Sequence, residues 1–289
     1  MVDRVAIQGE AGSFSHAAAL ETYGSDLRLV PCPTFVDLFR SVETGVASSG
    51  VVPIENTLAG SVHENYDLLS AHELHVVGEA ELRIRHCLIA APRTSRAEVR
   101  RVASHPVALA QCRRFFHSNP DLVAVPAYDT AGSVRDLMAG TAEAEAAIAS
   151  RLAAALYGAT VLQDGLEDNS ENYTRFLMVT REPLALARGQ TGKTSLMFTL
   201  GAGPGTLHRA LGVFAERGLN LTKIESRPLP GRPWEYLFYV DLGVARDEVT
   251  CARALTHLGE FAPMLRTLGT YASWKTQEGR TPDPFEVVS

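Results

Sequence analysis

The sequence contains little cysteine, no cluster of positive charge and no long apolar segment. Its four cysteines, Cys32, Cys87, Cys112 and Cys251, are far apart and form no Cys-x-x-Cys or Cys/His cluster, so we expect buried, reduced thiols and neither a metal site nor a disulfide framework. No segment approaches the length of a membrane span. The start, MVDRVAIQGEAGSFSHAAAL, lacks the basic flank and long apolar core of a signal peptide. We therefore expect a cytoplasmic protein with no membrane partner.

The charge balance also excludes a class of partners. The 289 residues include 27 Lys and Arg against 33 Asp and Glu, a formal net charge of −6, and no dense basic run that would neutralise phosphates. Nucleic acid is therefore not expected to bind. A hydrophobic fraction of 46% over this length is sufficient for two domains, each with its own core.

The first 180 residues repeat one order of elements: a short apolar strand, a polar turn and an amphipathic helix. This alternation predicts an α/β fold with mostly parallel sheets. In such sheets ligands bind where strands end and helices begin, because free backbone N–H groups and the positive helix end favour an anion there. The five instances are RVAIQG with EAGSFSHAAAL, GVVPI with ENTLAGSVHENYDLL, RRVA with SHPVALAQCRRFF, LVAVPAY with DTAGSVRDLM, and EAAIA with SRLAAALYG.

Several polar residues in these turns also have a purely structural interpretation. Ser61 begins a capping-box pattern, and Ser104 precedes His105-Pro106, where a proline suits the first helical turn. We interpret His105 as a cap or hydrogen-bonded histidine in preference to a general base, and Cys112 as a helix core residue. The GEAGSFS turn lacks both phosphate-loop and dinucleotide spacing, so nucleotide binding is not predicted.

After residue 180 the composition changes to REPLALARGQTGK, which predicts a linker over residues 182–193. A second unit comes next, with the order strand 194–200, helix 205–217, strand 219–228, strand 234–242, helix 246–258 and strand 264–274. This is a βαββαβ arrangement. The final residues, 275–289, are polar and contain proline, and are expected to form a loosely held tail.

Six motifs taken together carry a family resemblance: GEAGSFS, PIENTLAGSV, SHPVALAQC, ENYTRF, GPGTLHRAL and NLTKIESRP. In order and over residues 3–273, the chain resembles prephenate dehydratases with a C-terminal ACT domain. The resemblance implies a catalytic domain, 1–181, with two α/β lobes like a type II periplasmic binding protein. The lobes would be about 1–79 plus 161–181 and 80–160, with the active site between them. A ferredoxin-like ACT domain would follow at 194–274.

The resemblance implies conversion of prephenate to phenylpyruvate, carbon dioxide and water on the way to L-phenylalanine, without a metal or redox cofactor. Thr174 would donate a hydrogen bond to the leaving hydroxyl, although a structural threonine at a strand start is the alternative interpretation. Glu55 could serve as a protonated acid, or only orient Asn56 or Thr174. The site residues that the resemblance implies are catalytic Thr174, Glu55 and Asn56, and substrate-binding Ser104, Gln111, Arg175, Ser15 and Thr130.

The chain departs from the family pattern near the expected cleft. Val107 replaces the usual glutamine, Ala131-Gly132-Ser133 replaces a run of alanines, and Thr206 stands where alanine is common. These departures leave open the choice between prephenate and its aminated relative arogenate. A second alternative is a two-lobed sensor of amino acids or anions with no catalysis.

For the second unit the resemblance implies an L-phenylalanine site at an interface between two ACT domains, and therefore a homodimer or homotetramer. The glycines of GPGTL would approach the amino acid's carboxylate, or would only form a tight turn. Glu225 would contact its ammonium group. The residues implied are Gly203, Pro204, Gly205, Leu207, Asn220, Glu225, Ser226 and Arg227.

Overall fold

A computed structural model describes residues 4–186, 191–229 and 231–274. The predicted tail and part of the predicted linker lie outside the described residues. The described chain divides into two compact units. The first unit comprises residues 4–62 and 80–176, and the second unit comprises residues 63–79 and the described residues from 177 to 274.

The elements up to residue 180 alternate between strands and helices. In chain order they are β1 (Arg4–Gln8), α1 (Phe14–Tyr23), β2 (Arg28–Cys32), α2 (Phe35–Glu43), β3 (Ser49–Asn56), β4 (Gly60–Ser61), α3 (His63–Ala71), β5 (His75–Arg83), β6 (Cys87–Ala90), a 3₁₀ turn (Arg96–Glu98), β7 (Arg101–Ser104), α4 (Pro106–Gln111), α5 (Arg113–Ser118), β8 (Val123–Pro126), α6 (Thr130–Met138), β9 (Ala146–Ala149), α7 (Arg151–Tyr157), β10 (Thr160–Gln163) and β11 (Tyr173–Thr180). All five predicted strand and helix pairs are present.

These strands form two sheets, which confirms the predicted two-lobed α/β architecture. The first has the order β2-β1-β3-β11-β5 with β4 on β3, and the second has the order β10-β6-β9-β7-β8. The chain crosses between the sheets at residues 84–86 and 164–172, a few residues later than the expected boundaries. The reason is that β5 continues through Arg83, and β10 pairs antiparallel with β6 in the second sheet.

The second sheet is apolar on both faces, which explains why its strands are continuous apolar runs in the sequence. On β6, Leu88 and Ala90 pack in one buried cluster with α4 and α5, whereas Cys87 and Ile89 pack in another with α6 and α7. All four residues of β9 are buried as well. The two layers of helices place the starts of α4, α6 and α7 at one end of this sheet.

The remaining elements form the predicted βαββαβ arrangement. They are β12 (Gly192–Thr199), α8 (Thr206–Ala215), β13 (Leu221–Pro228), β14 (Tyr236–Leu242), α9 (Val249–Gly259) and β15 (Met264–Ala272). The sheet has the order β13-β14-β12-β15 with antiparallel pairing throughout. Both helices cover one face, where Phe198, Val213, Val240 and Leu255 belong to a single buried cluster.

Of the two predicted caps, Ser61 lies in β4, where it pairs with Glu55, two residues before α3 begins, and its role as a cap stays a prediction. His105, not Ser104, caps α4 through Nδ1, which accepts from Val107 N at 3.3 Å. The preferred interpretation of His105, as a cap, is therefore confirmed.

The four cysteines are free and buried, as expected. Among the described residues, no helix combines the length and apolar character needed to cross a membrane.

Candidate active site

The strand end at Asn56 is the centre of a buried hydrogen-bond network. Asn56 Oδ1 accepts from the backbone N–H groups of Leu58 and Ala59 at 3.0 and 2.8 Å. A backbone N–H can only donate, so these two bonds fix which end of the Asn56 amide is the oxygen. Its Nδ2 group consequently faces the other way, toward Tyr173 O at 3.0 Å.

The orientation of the Asn56 amide also determines which atoms of the other side chains donate and which accept. Asn56 Nδ2 donates to Asn172 Oδ1 at 2.8 Å, so Asn172 Nδ2 is a donor, and it reaches Gln111 Oε1 at 3.0 Å. Gln111 Oε1 also lies 2.9 Å from His86 Nε2, which must therefore carry the proton. Gln111 Nε2 closes the ring toward Asn56 Oδ1 at 3.4 Å.

His86 is held as a neutral donor. Only 2% of the residue is exposed, and burial lowers the pKa of its imidazole, against smaller opposing effects of Gln111 and Glu167. Within the described chain its Nδ1 is buried and has no hydrogen-bond partner. The ring of Phe14 packs edge-on against it, with the centroids 5.5 Å apart. His86 therefore supplies one fixed N–H to the amide network.

The network ends on Thr174, at the start of β11. Asn56 Nδ2 lies 3.0 Å from Thr174 Oγ1 and has no lone pair to offer, so the threonine oxygen accepts. Its own hydroxyl proton is then available to an acceptor outside the network. This contact agrees with both interpretations of Thr174, as a structural threonine and as a hydrogen-bond donor, and the donor role stays a prediction.

Glu55 and Arg175 point to the other face of this sheet. Each is adjacent in a strand to a member of the network, Asn56 and Thr174 respectively, and successive side chains of a strand point to opposite faces. The alternation of the two strands therefore separates Glu55 and Arg175 from the face that carries Asn56 and Thr174. The roles predicted for Glu55 and Arg175 stay predictions.

The turn after β1 lies against helix starts that come from the second sheet. Ser150, the N-cap of α7, donates from Oγ to Gly12 O at 2.5 Å. Gly9, with φ +90°, leaves so little room that an added Cβ would lie 2.5 Å from Asp129 Oδ2. Asp129 caps α6, accepting from Gly132 N at 2.7 Å, and burial raises the pKa of its carboxyl group. The two lobes thus approach one another through glycine at this turn.

The other predicted substrate-binding residues lie at helix starts. Ser15 is buried in the first turn of α1, and Thr130 is half-buried at the first position of α6. Ser104 is fully buried, and its hydroxyl donates to Ile148 O at 2.6 Å, so it ties β7 to β9. Val107, where the family usually has glutamine, is 45% exposed.

The predicted effector residues of the second unit fall on two faces of its sheet. Gly203, Pro204 and Gly205 lead into α8, whose helix packs on the face that carries Phe198 and Val240. Leu207 is on the first turn of α8, and Asn220 accepts from Gly243 N through its carbonyl at 3.1 Å.

Glu225 and Arg227 occupy the opposite face, because β13 pairs Glu225 with Tyr239 and Ser226 with Phe238. On this face they contact α3. Arg227 makes two hydrogen bonds to Asp67, at 3.0 and 2.7 Å, and Glu225 lies 3.5 Å from His63. Within one chain, therefore, Glu225 and Arg227 of the ESRP motif face α3.

Sequence reasoning did not select His86, Asn172 or Asp129. Asn172 stands in the ENYTRF motif, two residues before Thr174, which is a signal that could have found it. His86 gives no local signal, since its partner Gln111 is 25 residues away. Asp129 precedes the DTAGS helix start, where an N-cap is the common role of aspartate.

Fold and site together define a class: a two-lobed α/β protein with a network of hydrogen-bonded neutral side chains at a strand end, followed by a small βαββαβ unit. Residues 5–184 match the family profile of prephenate dehydratase, and residues 194–255 match that of the ACT domain. The first match covers more than half of the chain, which therefore belongs to the prephenate dehydratase family and is a hydro-lyase of that family.

Three similar proteins match this chain over most of its length. Arogenate dehydratase/prephenate dehydratase 2, chloroplastic, from Arabidopsis thaliana is 44% identical over 277 residues, covering 93% of this chain and 72% of the relative. The crystal structure of prephenate dehydratase in complex with L-Phe from Arthrobacter aurescens has 32% identity and a TM-score of 0.88, covering 96% of this chain and 93% of that chain. A structure described as GqqA, a novel type of quorum quenching acylase, has 35% identity and a TM-score of 0.85, covering 93% and 98%.

Proposed function

We propose that the chain converts prephenate to phenylpyruvate, with loss of water and carbon dioxide, and that L-phenylalanine regulates it through the second unit. The observation that carries the proposal is the fixed polarity of the amide network, which leaves the Thr174 hydroxyl proton available. When the carboxylate leaves as carbon dioxide, its bonding electrons complete the aromatic ring and expel the ring hydroxyl. That hydroxyl is a poor leaving group, so a donor aimed at it lowers the barrier.

In this proposal Thr174 contacts the leaving oxygen and Asn56 holds Thr174. Gln111, Asn172 and His86 act through them by fixing the amide orientations. A neutral threonine is a very weak acid, so its contribution is electrostatic. The hydroxide leaves with the electrons of its C–O bond, and one proton taken up from the solution converts it to water. We assign no proton transfer to Glu55, because its side chain points to the other face of β3.

The substrate carboxylates need donors from both lobes. The starts of α1 and α6 supply backbone N–H groups at positive helix ends, and Ser15 and Thr130 lie at these starts. Because Ser104 Oγ is engaged by Ile148, we propose that it supports the α4 start and does not bind the substrate directly. We also propose that Arg175 acts from the far face of β11 and does not hold a substrate carboxylate.

The experiment is phenylpyruvate formation from prephenate by the purified chain, with Thr174→Val and Thr174→Ser. Removal of one preorganised donor is worth about 3 kcal/mol, so the valine variant should lose about a hundredfold in kcat while the serine variant retains most activity. Thr160→Val, an exposed threonine at the start of β10, is the matched control. A loss below fivefold in Thr174→Val would contradict the assigned role.

Competition between prephenate and arogenate in the same assay separates the two dehydratase activities. Absence of product from both substrates, with retained prephenate binding, would favour the non-catalytic sensor. An acylase needs an activated nucleophile with an adjacent base. Thr174 Oγ1 accepts from the amide of Asn56, and His86 is bonded to Gln111, so neither contact supplies a base to the Thr174 hydroxyl, and we propose dehydration in preference to acyl transfer.

For regulation we propose that L-phenylalanine binds between the glycine loop of one chain and the ESRP strand of another. The proposal is supported by the positions of these residues on the sheet of the second unit. Gly203–Gly205 and Glu225 lie on opposite sides of this sheet, so a second chain is needed to complete such a site. We accordingly propose a homodimer or homotetramer, measurable by light scattering, and a cytoplasmic location, measurable by cell fractionation.

Glu225→Gln should weaken inhibition by L-phenylalanine at least tenfold, because it removes the carboxylate proposed to meet the ammonium group. Glu216→Gln, an exposed position after α8, should leave inhibition unchanged. Unaltered inhibition in Glu225→Gln, with intact basal activity, would remove this contact from the proposal.

A further inference from the structure

The first unit contains a cavity that none of the network residues lines. Its volume is about 300 Å³, which lies at the lower end of the range for small-molecule sites. Helix α1 contributes Phe14 and Leu20, the start of α7 contributes Arg151, and the two crossings between the sheets contribute Arg85 and Asp164. The cavity thus lies where both lobes and both connections between them meet.

The lining combines an apolar wall with an excess of positive charge. Three arginines, Arg83, Arg85 and Arg151, stand against two carboxylates, Glu21 and Asp164. Arg85 and Arg151 both approach the same atom, Asp164 Oδ2, Arg85 at 3.8 Å and Arg151 in a direct hydrogen bond. The Arg85 distance is longer than a hydrogen bond, so Asp164 does not engage the planar fork of donors that this guanidinium group carries.

Apolar side chains complete the lining of the cavity. Ala17 and Leu20 of α1 line it together with Leu82 and Leu152, and the ring of Phe14 faces it as well. An apolar wall beside a guanidinium group matches a ligand with a hydrocarbon body and one carboxylate, since arginine binds carboxylates in a bidentate manner.

We propose that this cavity binds a small aromatic monocarboxylate, with its carboxylate on Arg85 and its ring against Phe14. The site is distinct from the one that holds Thr174, and its existence does not depend on the proposed reaction. Binding would nevertheless reach the network through two side chains, because Phe14 packs on His86 and His86 donates to Gln111. Occupation is therefore expected to change kcat as well.

The test is calorimetric titration of the full chain with phenylacetate, in saturating L-phenylalanine so that the proposed effector site is filled. One phenylacetate should bind per chain, and 2-phenylethanol, phenethylamine and acetate should each bind at least tenfold more weakly. Arg85→Leu and Ala17→Phe, which remove the carboxylate partner and fill the cavity, should each weaken phenylacetate binding at least tenfold. Arg101→Leu, an exposed arginine that pairs with Glu143 at 3.2 Å, is the matched control.

Three results would overturn the proposal: no binding by the intact chain, binding unchanged in both cavity variants, or displacement of phenylacetate by prephenate with unchanged binding in Arg85→Leu. The last result would place phenylacetate in the catalytic cleft. If Ala17→Phe does not fold, as judged by circular dichroism, Arg85→Leu decides alone. Failure of the proposed function would show in the phenylpyruvate assay and would leave this titration unaffected.

Discussion

Asn172→Asp tests the polarity of the amide network directly. Asn172 is fully buried; its Oδ1 accepts from Asn56 and its Nδ2 donates to Gln111. A protonated carboxyl group has one acceptor and one donor and can replace both bonds, whereas the carboxylate places an acceptor against Gln111 Oε1. The variant should therefore be active only when the introduced group is protonated.

The expected magnitude is set by the cost of one unsatisfied buried polar group, about 1–3 kcal/mol, or about 5- to 150-fold in kcat. Burial disfavours the charged form, so the introduced carboxyl should titrate well above the ordinary aspartate value of about 3.9, with a midpoint of ~6. Stability changes in the same sense: the folded state binds the proton more tightly than the unfolded state, so stability decreases as pH rises through this range.

The assay is kcat from pH 5 to 8 for the wild-type chain, Asn172→Asp and the control Asn169→Asp. Asn169 is exposed and accepts from Glu171 N at 2.9 Å, a bond that a carboxylate retains. The control should follow the wild-type profile, and Asn172→Asp should regain activity relative to it as the pH falls. Circular dichroism at each pH establishes that the variant is folded. A wild-type profile, or activity that rises with pH relative to the control, would refute the derived polarity.

Two further predictions concern the close approach of the two lobes at Gly9 and the buried side chain of His86. Gly9→Ala should destabilise the chain by about 2 kcal/mol more than Gly24→Ala in urea unfolding. Both positions have positive φ, but only Gly9 faces Asp129 Oδ2. Equal destabilisation by the two substitutions would show that this close approach is unimportant. Burial lowers the pKa of His86, so the unfolded state binds the extra proton and stability should fall as pH drops below about 6.5. His86→Gln should reduce this acid sensitivity and exposed His117→Gln should not, as urea midpoints at pH 7.5 and 5.5 would reveal.

The sequence predicted the order of elements well because that order depends on local periodicity and turn chemistry. The βαββαβ unit and all five strand and helix pairs are present, with small differences in their ends. The network around Thr174 could be named only in part. Asn56 and Asn172 are 116 residues apart, and no local pattern states which amide oxygen faces which donor.

Alternation along the strands bears on two of the predicted site residues. Glu55-Asn56 and Thr174-Arg175 are sequence neighbours, and the motif suggested that each pair acts together. Because neighbours in a strand face opposite ways, Glu55 and Arg175 are expected on the other face of the sheet, and their roles stay predictions. The packing of α3 was also not predictable, because amphipathic spacing shows that a helix has a buried face but not which surface covers it.

The contacts of α3 and β5 bear on whether the βαββαβ unit can be removed from the chain. A sequence-based truncation would cut in the linker, 182–193, and discard the βαββαβ unit in order to obtain an enzyme without feedback. That cut removes Arg227 from Asp67 and Lys193 from Glu79, a carboxylate only 2% exposed that Lys193 meets at 2.7 Å. The truncated chain therefore loses two ion pairs and exposes to water the surface of α3 and β5 that the removed unit covers. The regulatory domain is thus not a detachable module, and release from feedback is better sought by point substitution than by deletion.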